Sequence, residues 1–460
     1  MPIIETDILP SRTRFAKIKG PHQENLEAIC VFIALGFFLD SDTYWKDQVC
    51  LAPASKHTID NNGFLVNSES YFKWSYHPEY ISFDTVLEKY TSLLKTIVKS
   101  QVKDDNVILP LSGGLDSRSQ AMIFKSLDNK VEAYSYSFQN GFKEHKISEK
   151  IANACGFNFS SYTIKRGYLW DTIEELAEIN QCYSEFTHPR QMAVLSEFEK
   201  IRGVFSLGHW GDVFFDRGTP EGTTNDDIIP MLFKKMVKKY GFELGETLWQ
   251  YWELEGNFKD YLISRIEVAL SSIKIDNASA KVRAFKTSQW AHRWTSTNLS
   301  VFEKANPITL PYYDNRMCEF ICNVPEAFLA DRKLQIAHIK QDKALSNITW
   351  QARKPFNINN YERNKPPYNL PYRISNKMKR TLNELRGKHY VQRNWELQFV
   401  GDENDKQLRS YLFSDAFNEF ISKDIVEDIY TKFKKVDPIH YAHPLSMLLT
   451  LALWKKQNKN

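Results

Sequence analysis

The chain has 460 residues, with 60 Lys and Arg against 56 Asp and Glu for a formal net charge of +4, and 42% of it is hydrophobic. That length buries one large core or two ordinary ones, two being the expectation, and the near balance of charge excludes a global pull toward nucleic acid. Six cysteines without CxxC spacing, no run long enough to span a membrane and no apolar segment within residues 1–20 lead to the expectation of a cytoplasmic protein with reduced thiols and no membrane partner. The first clear element is a helix over 82–98, capped by Ser82, with Asp84 in its first turn and apolar Val86, Tyr90, Leu93, Leu94 and Ile97. It is expected to join two domains, 1–80 and 81–460.

Val107 to Leu111 is an apolar run with the character of a buried parallel strand. It breaks at Ser112-Gly113-Gly114-Leu115-Asp116-Ser117, and a helical segment from Arg118 to Phe124 follows. Adjacent glycines turn the backbone sharply and expose successive N–H groups, the serines add hydroxyls, and the helix points its positive end at the turn. Such a nest suits an anion, most simply a pyrophosphate. It is neither a Walker loop nor the three-glycine dinucleotide fingerprint. Asp116 would repel a phosphate unless a cation intervened, which implies Mg²⁺.

Glu132 to Phe138 reads as the next strand and Glu144 to Gly156 as a helix stopped by its glycine, with Ile147, Ile151 and Ala154 at helical spacing. Val204 to Asp216 (VFSLGHWGDVFFD) follows, and from about residue 230 the chain reads mainly helical. His292, Arg293 and the Trp290/Trp294 pair are read as core and surface, as are Cys318 and Cys322 as core. Basic residues between Arg373 and Arg393 are read as a solvated loop and helix face within reach of an acidic carrier or a nucleotide-linked substrate.

SGGLDS in this strand-turn-helix setting resembles the pyrophosphate loop of the N-type ATP pyrophosphatases, and LSGGLDSR is closest to the asparagine synthetase branch. The resemblance implies an α/β synthetase domain with a parallel sheet and many helices, ATP and Mg²⁺ as cofactors, and nucleotide contacts from Leu111, Ser112, Gly113, Gly114, Leu115, Asp116 and Ser117. The strand ending in Ser137 and Phe138 would hold adenine and ribose. Leu207-Gly208-His209-Trp210-Gly211-Asp212-Val213 resembles the second nucleotide motif, in which Leu207 and Gly208 approach the nucleotide and Asp212 joins Asp116 on the metal. His209 replaces a family glutamate thought to help deprotonate the attacking nitrogen. A histidine can take that proton, or it hydrogen-bonds a phosphate or fills the pocket. Val213 replaces a second acid. Leu310-Pro311-Tyr312-Tyr313-Asp314 resembles a Val-Pro-Phe-Leu-Asp segment, and Trp350 to Phe356 (WQARKPF) the segment of the catalytic lysine. Spacing from Phe356 puts Arg353 on that position as a fixed fork, with Lys354 beside it as a mobile point charge. Between 220 and 285 the resemblance gives out, so the acceptor pocket is expected there and in 357–440.

The amino-terminal segment, Gly36 to Ser55 and Phe64 to Trp74, resembles the last strands of the glutaminase domain that precedes the synthetase domain in that family. A class II glutaminase needs an amino-terminal cysteine, and this chain starts Met1-Pro2-Ile3, so a small β-rich structural remnant without glutaminase activity is expected. The implied reaction is adenylation of a carboxylate followed by attack of ammonia or an amine, with a separate glutaminase subunit as one source of nitrogen. Polysaccharide or natural-product synthesis is the expected setting. The competing expectation, given His209 and Val213, is a nucleotide-binding pseudoenzyme that scaffolds a complex.

Overall fold

A computed structural model describes residues 1–351, 354–386 and 390–458, apart from the Glu384 side chain. Five short strands come first: β1 (Ile3–Glu5), β2 (Phe15–Lys17), β3 (Gln48–Cys50), β4 (Ser55–Ile59) and β5 (Leu65–Ser70). They form an antiparallel sheet ordered β1-β4-β5 and a separate β2-β3 pair. Between them lies a helix, Leu26–Leu35, in which every residue from Ala28 to Leu35 is buried. Asn25 caps it by accepting from the Ala28 N–H, and Gly36, at φ 85°, ends it in the left-handed conformation that glycine adopts freely.

A helix apolar on all sides must be covered on all sides. Here the cover comes from far along the chain. The helices Lys239–Tyr251 and Pro438–Gln457 pack against it, His443 Nε2 lies 2.9 Å from the Ile33 carbonyl, and Cys30, Leu248 and Leu448 share one core. Hydrophobic packing therefore runs across residue 80.

The helix expected over 82–98 spans Phe83–Val102, with the Ser82 hydroxyl accepting from the Thr85 N–H at 3.1 Å. It leads into β6 (Val107–Pro110), whose first three residues are buried, as befits a strand covered on both faces. The other strands of this sheet are β7 (Val131–Phe138), β8 (Asn158–Ile164), β9 (Val204–Ser206) and β10 (Ile308–Thr309). All five are parallel, in the order β10-β9-β6-β7-β8. The chain runs outward from β6 to β7 and β8, then crosses to β9 on the other side. The topological switch point thus lies between β6 and β9, and a ligand crevice belongs outside the carboxyl ends of these two strands. Last comes an antiparallel hairpin, β11 (Thr349–Gln351) and β12 (Lys354–Asn357).

Candidate active site

The loops that leave β6 and β9 face each other. After Leu111, whose N–H donates to the Tyr134 carbonyl at 2.7 Å, the chain turns through Ser112-Gly113-Gly114 into the helix Leu115–Phe124. The turn is partly closed on itself: the Ser112 N–H donates to Ser117 Oγ at 3.2 Å and the Gly114 N–H to Ser112 Oγ at 3.1 Å. Gly113 is needed for packing, because a Cβ there would sit 2.5 Å from the Trp350 carbonyl oxygen. On the opposite loop a Cβ at Gly208 would lie 3.2 Å from both Asp116 Cβ and the Ser117 nitrogen. Two main chains approach as only glycine permits.

Asp116 accepts from Gln335 Nε2 at 2.8 Å and from the Arg332 guanidinium. Burial raises its pKa, Arg332 opposes that, and Asp212 raises it further. The two carboxylates are therefore close enough to repel, a strain that a cation would relieve. Asp212, on the short helix Gly211–Phe214, is exposed. Beside it, burial pushes His209 down to about 4 against the pull of Asp212, and its Nδ1 is buried without a hydrogen-bond partner among the described residues. Trp210 stands at φ 77° and donates from Nε1 to Thr287 Oγ1 at 3.1 Å, fixing the turn that presents His209.

Most of the residues named from the sequence meet at one place. Leu111, Ser112, Asp116, Ser117, Leu207, Gly208, His209 and Asp212 line a cavity of about 930 Å³. Ser137 and Phe138 line an adjoining cavity of about 220 Å³, which shares Tyr136, Glu144 and Arg190 with the first. Gly113, Gly114 and Leu115 stand behind the wall, Leu115 in the hydrophobic core. Lys354 also stays off the wall of the larger cavity. Its ammonium lies 3.8 Å from the centre of the Trp350 ring, with a pKa lowered by burial and by Arg332. Arg353 lies outside the described residues.

Other residues of the site gave no sequence signal, or were misread. Arg118, quoted only as the end of the motif, is fully buried and donates to the carbonyls of Gly113, Leu345, Ile348, Thr349 and Trp350 at 2.7–3.2 Å. Gln120 ties the two loops by donating to the Leu207 carbonyl at 3.0 Å. Arg332 and Asp331, both in the left-handed region, have no motif around them; the unusual backbone swings Arg332 onto Asp116. Trp290 and Trp294, read as core and surface, belong to the cavity wall, because a π-helical stretch from Thr287 to Thr295 re-aims this face, while His292 and Arg293 are buried. Part of the cavity wall comes from 286–302, and part, at Lys235, from the 220–285 stretch where the acceptor pocket is expected. Lys286, 7% exposed, completes it with Lys235. Burial and Lys235 bring Lys286 down to about 7.

Among the described residues no group of three or more His, Cys, Asp or Glu forms a metal cage. A pair of aspartates still suits Mg²⁺, which commonly takes one or two carboxylates and completes its shell with water and substrate phosphates. Asp116 and Asp212 fit that donor set. Cys318 and Cys322 are buried in the core, and the six cysteines are all free thiols.

The glycine turn at the carboxyl end of a central parallel strand and the carboxylates of Asp116 and Asp212 thus meet at the switch point. The family model for asparagine synthase matches residues 89–207, a stretch that carries the Ser112–Ser117 turn and ends at Leu207, where the second loop begins. No curated protein matches the chain. Solved structures similar to it include the NMN synthetase from Francisella tularensis, at 12% identity and a TM-score of 0.23, covering 46% of this chain and 93% of that one. A glutamine-dependent NAD+ synthetase from Acinetobacter baumannii, in complex with ADP, has 10% identity and a TM-score of 0.21 over 55% of each chain. Similarity at this level bears on neither substrate nor mechanism. Among the described residues no helix is long and apolar enough to cross a membrane.

Proposed function

We propose that the chain adenylates a small-molecule carboxylate with ATP and passes the acyl group to ammonia or an amine. A carboxylate oxygen attacks the α-phosphorus and pyrophosphate leaves. The nitrogen then attacks the acyl carbon, the C–N bond forms as the C–O bond to AMP breaks, and the nitrogen gives up a proton. The observation that carries this reading is the convergence of the Ser112–Ser117 turn and the Leu207–Asp212 turn on one cavity, with Asp116 and Asp212 facing each other across it.

In this reading the nest receives the departing pyrophosphate, and Asp116 and Asp212 would hold Mg²⁺, which supplies charge neutralisation on the phosphate oxygens. Arg332, ion-paired with Asp116, is a cation that can turn to those oxygens. Lys354, half-buried over Trp350, is the mobile charge behind it. His209, at about 4, is a weak base, which favours hydrogen bonding to phosphate over taking the amine proton. Cys30 and Cys50 are buried and burial raises both thiols, so neither is an activated nucleophile for glutamine. Nitrogen therefore comes as free ammonia, from a separate glutaminase subunit or as an amine of the acceptor, in polysaccharide or natural-product synthesis.

The competing reading, a nucleotide-binding scaffold, draws on Val213 in place of a second acid. ATP–pyrophosphate exchange across a panel of carboxylates separates the two. Label returning to ATP with one carboxylate and not with the others is the expected result. Tight Mg·ATP binding with no exchange for any carboxylate would leave the scaffold as the function.

A further inference from the structure

The helix Leu370–Leu385 is amphipathic with its polarity turned inside out. Leu370, Ile374, Met378, Leu382 and Leu385 are 42%, 59%, 61%, 49% and 80% exposed. At 100° per residue they fall within an arc of about 120°, a single stripe about 22 Å long. The half-buried positions of the same helix are polar: Tyr372, Asn376, Arg380 and Asn383. A surface helix of a globular protein normally buries the apolar arc, so this stripe awaits an occupant.

Charge says which. Arg373, Lys377 and Arg380 border the stripe along one edge, and Lys379 and Arg386 along the other, against a single acid in the sequence, Glu384. A second copy of this chain would bring like charges together along both edges, which disfavours self-association. A bilayer bearing anionic headgroups matches the pattern. It accepts a convex, isolated helix without supplying a groove, takes flexible aliphatic side chains at its acyl boundary, and meets the basic residues at headgroup level, where long stems can snorkel.

We propose that this helix lies on the surface of an anionic membrane, with the Leu370–Leu385 stripe in the acyl boundary and its basic edges on lipid phosphates. The early expectation that no membrane is involved came from the lack of a spanning segment, and an interfacial helix needs none. The helix follows the β12 strand of Lys354 through the 3-10 turn Ile358–Asn364.

Flotation of the full chain with lipid vesicles tests this. Phosphatidylcholine vesicles containing phosphatidylglycerol should carry the protein, and pure phosphatidylcholine should carry about tenfold less or none. Raising the salt should weaken binding, since exposed charges are screened. The double variant Ile374→Asp, Met378→Asp changes two exposed residues and should fold with an unaltered thermal midpoint while losing binding by about tenfold or more. Arg373→Glu with Lys377→Glu should lose it too. Absence of binding to the anionic vesicles, or equal binding by the Asp variant, would overturn the proposal. So would retention on an acidic polypeptide without vesicle binding, or a dimer in solution that Ile374→Asp dissociates, each of which assigns the stripe to a different occupant.

Discussion

The two ends of the cavity are built on opposite principles. At the end built on the Ser112–Ser117 turn, side chains pin the main chain: Arg118 holds five carbonyls, Gln120 links the two loops, Ser148 Oγ donates to the Leu111 carbonyl at 2.9 Å, and Asp116 is paired with Arg332. On the wall of Trp290 and Trp294, Lys286 and Lys235 face each other; Asp212 acts on Lys286, yet among the described residues no carboxylate is ion-paired to either lysine. The first end is held by main-chain geometry, the second by side chains.

The comparison breaks most visibly through Arg118. Arg118→Met removes five charge-assisted hydrogen bonds from a fully buried position, and should cost about 3–5 kcal/mol of stability. Urea unfolding checks this, and a loss near zero would mean that the nucleotide end is not pinned. Asp116→Asn keeps the shape and removes the charge. The expected result is a hundredfold or greater fall in ATP–pyrophosphate exchange, about 3 kcal/mol of barrier, with the fold intact. Exchange that is unchanged, or that persists in EDTA, would remove Asp116 from the metal.

The smallest effect sharpens the other end. Lys286 is depressed to about 7 from 10.5, so between those values the unfolded chain binds more protons and stability should rise with pH. Lys286→Met should lack that rise, be within about 1 kcal/mol of wild type at pH 7, and bind Mg·ATP equally well. Unfolding midpoints of the two proteins at pH 7 and pH 9 measure the difference. Parallel curves would show that Lys286 is already charged.

The same contrast explains what could be read from the sequence. That end is written in contiguous stretches: a buried strand, six turn residues and a helix fix their own geometry locally, so the meeting of Ser112 to Ser117 with Leu207 to Asp212 was legible in position. Gly113 also makes room for the Trp350 main chain, a need that the sequence did not announce. The acceptor end depends on how distant helices pack. Trp290 and Trp294 look like any helical pair until the π-helical turn aims them, and Arg332 reaches Asp116 only through two left-handed residues that no local pattern announces. The amino-terminal helix teaches the same. It stands in a segment expected to be β-rich, and the helices that bury it lie more than two hundred residues away.

The carbonyls that Arg118 gathers belong both to the phosphate turn, through Gly113, and to the stretch Leu345–Trp350 that carries the hairpin of Lys354. Loop and hairpin are thus one mechanical part. A hairpin that closed over the nucleotide as a free lid would have to abandon a buried guanidinium, so the spacing between cation and phosphate seat is set when the chain folds.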